Sequence, residues 1–129
     1  MKSRCKNRPN KAKNSVKIKK GVHPTMKKYI LTIGLNDKDT YVQKYDTITA
    51  YKIVENILST YTDGYTIYET TGGYKHDDGT FITEKSLRVE LLFISETLVR
   101  IIANKIKSPT ALNQETIVLE IQEYNSELI

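Results

Sequence analysis

The acidic and histidine side chains are the first candidates for chemistry, and they fall in two loops. Asp37 and Asp39 lie in a run of loop-forming residues, and His76 is followed directly by Asp77 and Asp78. Two carboxylates can act as acid and base, but carboxylates in a loop are ordinarily solvated. A metal site needs several ligands, whereas Asp77 and Asp78 are typical turn residues. The sequence therefore predicts no catalytic centre, no metal site and no cofactor.

Gly72 and Gly73 are the one adjacent glycine pair, and a glycine-rich loop can cradle phosphate. Such a loop needs the N-terminus of a helix behind it, and here the residues that follow have the character of a strand. The chain also lacks a nucleophile elbow, a P-loop and a paired cysteine and histidine. We therefore expect a non-enzymatic protein.

Length and cysteine usage limit the class of protein. A chain of 129 residues fits one domain with its own core. The single cysteine, Cys5, excludes an internal disulfide, and no signal-like apolar run lies near the N-terminus. These features predict a cytoplasmic protein that does not enter a membrane.

The positive charge is concentrated in residues 1–25. This segment holds nine of the 20 basic residues and no acidic one, so residues 26–129 hold 11 basic and 15 acidic residues. Without apolar periodicity the segment should be a disordered basic arm. One interpretation is a polycation that binds nucleic acid through its phosphates. The other is an over-extended start, because Met26 resembles an ordinary bacterial start that runs into the first strand.

A hairpin over residues 64–94 is the element against which the rest should pack. The turn sequence Asp78-Gly79 lies between two strand-like runs. A two-residue turn there would set a carboxylate opposite Ile67, which should face the core. One extra residue in the first arm would pair Ile67 with Val89 instead. We therefore predict a β-bulge at Gly72-Gly73, where glycine tolerates a positive φ.

Two helices are expected on either side of this hairpin. The first begins near an N-cap among residues 46–49, has apolar residues every three or four positions and ends at a glycine cap, Gly64. The second is capped by Ser95 and stopped by Pro109. Both should pack on one face of a sheet.

Alternating apolar residues predict a first strand over residues 29–35 and a last strand over residues 115–124. The inward residues of the last strand should be Ile117, Leu119 and Ile121. The resulting order, β-α-β-β-α-β, is that of two split βαβ units. The sequence thus predicts an α+β, ferredoxin-like sandwich over residues 26–129: a four-stranded antiparallel sheet, in order 4-1-3-2, with both helices on one face.

The sheet face without helices is the expected binding surface. Acidic groups and a lack of aromatics on its central strands disfavour RNA, so nucleic acid could bind only through residues 1–25. An arginine among apolar residues is typical of a protein contact, with a host protein or with a second copy in a homodimer. A partly solvated sheet with cross-strand ion pairs is the alternative. The predicted binding residues are Ile30, Tyr68, Arg88, Glu90, Leu92, Val118 and Glu120.

Several segments of the domain resemble a group of small, functionally uncharacterised ferredoxin-like proteins of bacterial phages and mobile elements. The likeness lies in Thr32-Ile33-Gly34-Leu35-Asn36-Asp37-Lys38-Asp39, Gly64-Tyr65-Thr66-Ile67-Tyr68-Glu69, Gly79-Thr80-Phe81 and Ser86-Leu87-Arg88-Val89-Glu90-Leu91. The resemblance implies an accessory, anti-defence role in the host cell.

Three functions follow from these features, in this order. The first is an inhibitor that contacts a host defence protein such as a CRISPR effector, an anti-CRISPR candidate. The second is a small-ligand or nucleotide-sequestering oligomer, for which Arg88, Lys75, Tyr68 and Tyr74 are the candidate residues. The third is nucleic-acid binding through the basic arm.

Overall fold

The computed structural model describes residues 25–129, which form four strands and two helices in the predicted order. Residues 1–24 lie outside this range, so the basic arm and its two interpretations stay predictions. The strands are β1 (Thr25–Gly34), β2 (Thr66–Lys75), β3 (Phe81–Leu91) and β4 (Val118–Asn125), and the helices are α1 (Thr47–Tyr61) and α2 (Glu96–Lys107).

The strands form one antiparallel sheet in the order β2-β3-β1-β4, which confirms the predicted topology. One face of the sheet and the apolar faces of both helices share a single core. Leu31, Val89, Val54 and Ile102 within this core have no exposed surface. The fold is therefore an α+β, ferredoxin-like sandwich whose second sheet face carries no helix.

Side-chain caps fix where each helix begins. The Asp46 carboxylate accepts a hydrogen bond from Thr49 N at 2.7 Å, and Ser95 Oγ accepts one from Leu98 N at 3.2 Å. α2 ends before Pro109, as predicted. The glycine cap predicted for α1 is wrong: Thr62, in an extended conformation, ends the helix by donating its N–H to Leu58 O.

The register of the central hairpin is the predicted one, but the bulge is wrong. Ile67 pairs with Val89, and the ladder continues without interruption to Lys75 and Phe81. The extra residue is taken up by the turn, where His76 N donates to Thr80 O and Gly79 N to His76 O. Gly79 has φ 88°, whereas neither glycine of the 72–73 pair has a positive φ. A three-residue turn with its last residue left-handed fits the strand twist, so the strand needs no bulge.

Both outer boundaries of the sheet shift from the prediction. β1 begins at Thr25, because Thr25 and Met26 pair with β4. β4 begins only at Val118, and Ile121 is 43 % exposed although its alternation indicated an inward position. β4 is an edge strand that pairs with β1 alone, so the helices cover it incompletely.

Candidate functional site: a cleft at one end of the open sheet face

Arg88 lies at the centre of a hydrogen-bonded network on the open face. Its Nε donates to the Tyr68 hydroxyl at 3.2 Å, and its Nη1 donates to Thr32 Oγ1 at 3.0 Å and Glu120 Oε1 at 3.1 Å. The Tyr68 hydroxyl in turn donates to Glu90 Oε2 at 2.9 Å. The structure thus brings together four of the seven predicted binding residues.

Glu90 links this network to β1. Its Oε1 lies 3.2 Å from Lys28 Nζ, and the hydrogen bonds from Tyr68 and then from Lys28 lower the pKa of the Glu90 carboxyl. The charges of the open face are therefore largely paired with one another. This arrangement matches the sheet with cross-strand ion pairs, which the sequence predicts as the alternative to a protein-binding surface.

The predicted exposure of Ile30 is wrong, since only 4 % of its surface is accessible. Its cross-strand neighbours are Glu90 on β3 and Glu120 on β4. Both carboxylates are tied to basic side chains, and the aliphatic stems of such side chains can shield apolar surface. Three predicted apolar residues do remain exposed: Tyr68 at 38 %, Leu92 at 38 % and Val118 at 57 %.

A cleft of about 520 Å³ opens at the end of this face where β1 ends, within the size range of small-molecule sites. It is bounded by β2 and β3 on one side and by the loops after β1 and before β4 on the other. Its lining residues are Thr32, Gly34, Asn36, Asp37, Lys38, Tyr41, Gly72, Gly73, Tyr74, Glu84, Ser86, Gln114, Glu115, Thr116 and Val118.

The floor of the cleft holds the Glu84 carboxylate, which lies against the backbone of Gly34. A Cβ on Gly34 would lie only 2.6 Å from Glu84 Oε2 and 2.8 Å from Oε1. Oε2 accepts a hydrogen bond from Asn36 N at 2.8 Å. Since no partner is found for Oε1 within residues 25–129, the carboxylate can accept a bond from a ligand.

The loop that follows β1 forms one wall, and Asp37 within it is not the solvated carboxylate that the sequence predicted. Asp37 is 4 % exposed, and Asn113 Nδ2 donates to its Oδ1 at 2.9 Å. This bond, followed by the one from Asp39 N, holds the pKa of Asp37 below its usual value. Gln114 Nε2 also donates to Asn36 O at 2.7 Å, so two amide side chains clamp the loop.

Apolar side chains line the rim of the cleft. Tyr41 is 72 % exposed, Val118 57 % and Tyr74 42 %. The Tyr74 ring packs edge-on against His76, with 5.3 Å between the ring centroids. A carboxylate floor beneath an aromatic rim suits an organic cation that carries a flat ring.

Sequence reasoning found the Arg88 network but not this cleft. Of the four residues named for a small ligand, only Tyr74 lines it; Lys75 ends β2, and Arg88 and Tyr68 lie in the network. Glu84 could have been found, because it shares the outward alternation of Arg88 on β3. The bridge from Asn113 to Asp37 spans 76 residues and has no local signal.

The part of the chain that the structure describes has neither a grouped set of metal ligands nor a membrane-spanning helix. Within residues 25–129, no three His, Cys, Asp or Glu side chains are grouped so that they could hold a metal ion. Neither α1 nor α2 has the length and apolar character that crossing a bilayer requires.

No family model matches the chain, and no curated protein matches it. Solved structures do match it, and at their low identity they define the class of fold alone. The class is that of small α+β proteins with a four-stranded antiparallel sheet and two helices.

A phage SAM lyase in complex with S-methyl-5'-thioadenosine superposes with a TM-score of 0.55 at 17 % identity, over 88 % of this chain and 97 % of that one. A phage SAM lyase in its apo state superposes with a TM-score of 0.55 at 16 % identity, over 87 % of this chain and 97 % of that one. A Bacillus cereus protein related to NIF3 superposes with a TM-score of 0.50 at 16 % identity, over 82 % of this chain but only 27 % of that chain. The expected absence of catalysis therefore stays a prediction, since two of these matches are enzymes by name.

Proposed function

We propose that the cleft binds a small organic cation that carries an aromatic ring system, a ligand of the S-adenosylmethionine type. The observation that carries this proposal is the Glu84 carboxylate on the floor of the cleft, beneath the rings of Tyr41 and Tyr74. A carboxylate there would attract a sulfonium or ammonium group, while the rim would contact a base.

The charge of the lining selects against nucleotides. Three lining residues carry carboxylates, Asp37, Glu84 and Glu115, and only Lys38 carries a positive charge. Like charges repel at short range, so a triphosphate would be disfavoured in this cleft and a cation favoured. The sequence predicted either a small ligand or a nucleotide as a second possibility. The charge of the cleft agrees with a small ligand and disfavours a nucleotide.

One structural match agrees with this choice of ligand. The phage SAM lyase whose fold extends over 88 % of this chain was solved with S-methyl-5'-thioadenosine, which joins a base to a sulfur atom. The likeness itself concerns the fold, so the argument for the ligand rests on the chemistry of the cleft.

Calorimetric titration tests the proposal with three ligands of different charge. S-adenosylmethionine should bind more tightly than S-adenosylhomocysteine, which lacks the sulfonium charge, and ATP should not bind. Glu84→Gln should weaken S-adenosylmethionine binding by about tenfold, or ~1.4 kcal/mol. Glu123→Gln, at an exposed position on β4 that does not line the cleft, is the matched control. Tighter binding of ATP than of S-adenosylmethionine would refute the proposal.

Incubation of the protein with S-adenosylmethionine also tests whether the ligand is turned over. Chromatography of S-adenosylmethionine after incubation with the protein would reveal any methylthioadenosine that is released. Release of methylthioadenosine together with homoserine lactone, both dependent on Glu84, would make the protein a lyase, because the ligand's own carboxylate would then displace the sulfur. Homoserine in place of the lactone would indicate hydrolysis by water, and unchanged ligand would leave the protein a binding protein.

Protein contact through the open face remains a second candidate function. It is favoured by the exposure of Tyr68, Leu92 and Val118 on a face that no helix covers. Inhibition of a host defence protein, membership of a phage or mobile-element group and a place in the host cytoplasm stay predictions from the sequence.

A further inference from the structure

Tyr41 stands out among the rim residues because its backbone is left-handed, with φ 60°. This conformation is uncommon for a bulky side chain, and such residues concentrate at ligand sites. Its side chain is also 72 % exposed, although the ring is large and mostly apolar. The backbone therefore holds an aromatic ring in solvent at the mouth of the cleft.

The loop that carries Tyr41 is closed by backbone hydrogen bonds. Tyr41 N donates to Asp37 O at 2.9 Å, and Asp37 N donates to Val42 O at 2.8 Å. Asp37 Oδ2 also accepts from Asp39 N at 3.0 Å and Thr40 N at 3.3 Å. The backbone of Tyr41 is thus placed by the hydrogen bonds of Asp37 at the base of the turn.

Asn113, from the connection between α2 and β4, holds this turn from the other side. Its Nδ2 donates to Asp37 Oδ1 and to Asp39 Oδ2, each at 2.9 Å, while Lys38 N donates to its carbonyl at 3.1 Å. Asn113 is itself left-handed, with φ 50°. Two of the three non-glycine residues with positive φ within residues 25–129 therefore belong to this wall of the cleft.

We propose that Tyr41 is the platform on which the base of the ligand stacks, and that Asn113 is the positioning residue that keeps it there. This inference rests on the proposed function and assigns the base to one end of the cleft. Tyr41 is favoured over Tyr74 because the Tyr74 ring already packs against His76, whereas the described residues provide no ring contact to Tyr41.

Methylthioadenosine is the appropriate probe, because it carries the base and ribose without the sulfonium charge. Tyr41→Ala should weaken its binding by about five- to 100-fold, the usual effect of losing one base-stacking ring. Tyr41→Phe should bind as the parent does. Val42→Ala is the matched control, since Val42 is 61 % exposed and adjacent but does not line the cleft.

Asn113→Gly isolates the positioning role, because glycine keeps the left-handed backbone and removes only the bridging amide. It should weaken methylthioadenosine binding in the same direction as Tyr41→Ala, and the double variant should be no weaker than Tyr41→Ala alone. Adding Tyr41→Phe to Asn113→Gly should not restore methylthioadenosine binding.

The outcomes separate the inference from the function on which it rests. If the parent bound neither methylthioadenosine nor S-adenosylmethionine, the proposed function would fail. If the parent bound both and Tyr41→Ala matched Val42→Ala, only the stacking platform would be wrong. Additive losses from Asn113→Gly and Tyr41→Ala, with both variants folded by circular dichroism, would overturn the positioning role.

Discussion

Gly34 makes room for the Glu84 carboxylate, and a single methyl group should displace that carboxylate. A Cβ on Gly34 would lie 2.6 Å from Oε2, but the end of a glutamate side chain can swing away. Gly34→Ala should therefore keep the fold while losing the Asn36 hydrogen bond, a cost of about 1 kcal/mol. Binding of S-adenosylmethionine should weaken about tenfold. Thermal melts and calorimetric titration measure the two effects separately.

Gly72→Ala is the control for this substitution. Gly72 also lines the cleft, but a Cβ there would meet no atom within 4 Å. The control should retain both stability and affinity. Equal losses of affinity in the two variants would show that the carboxylate position does not govern binding.

The sequence predicted which residues share a face better than it predicted what they contact. Alternation placed Tyr68, Arg88 and Glu90 together correctly, because side chains two apart in a strand point the same way. It could not reveal that Ile30 is buried, since alternation assigns a residue to a face and does not say how far neighbouring side chains cover it. It also missed Asn113, whose partners lie 76 and 74 residues away.

At the level of elements, β2 and β3 continue past the end of β1 as a two-stranded ribbon. β1 pairs with β3 only as far as Ser86, whereas β2 and β3 stay paired from Thr71 and Lys85 to the turn. Gly79→Ala would place a side chain at φ 88° and should destabilise this ribbon by about 1 kcal/mol. A two-stranded hairpin is marginal alone, so the change should appear as faster amide exchange within the ribbon and leave the melting temperature nearly unchanged.

The glycine pair of the same ribbon provides the comparison. Neither Gly72 nor Gly73 has a positive φ, so Gly72→Ala should not make amide exchange in the ribbon faster than in the parent. Slower exchange in the Gly72 variant would also fit, since alanine restricts the unfolded chain. Unchanged exchange in Gly79→Ala would mean that the turn does not control the ribbon.

Register was predictable here because a one-residue slip would have moved Ile67 away from the core. The position of the extra residue was not predictable, because a bulge and a three-residue turn give the same register. The end of α1 shows the same limit: Gly64 and Thr62 lie two residues apart, and only the backbone conformation decides which residue caps the helix.

On the scale of the whole molecule, two apolar helix stripes and four alternating strands were enough to predict the sandwich and its strand order. Handedness and short connections leave few other arrangements for that order of elements. The open face follows from the same rules. The same rules do not predict what the open face binds. Its charged side chains already pair with one another, Lys28 with Glu90 and Arg88 with Glu120.

Because these charges are already paired, any association through the open face should depend on its apolar residues. Leu92 is 38 % exposed and lies beside Glu90, so Leu92→Glu adds a like charge and removes apolar contact without touching the core. If two copies pair through this face, the substitution should weaken the dimer at least about tenfold, or ~1.4 kcal/mol. Ile48→Glu, 65 % exposed on α1, should have no effect. Light scattering after size-exclusion chromatography measures the mass of the parent and of both variants. A parent protein that stays monomeric at high concentration, or a Leu92 variant with the parent's mass, would exclude self-association through this face.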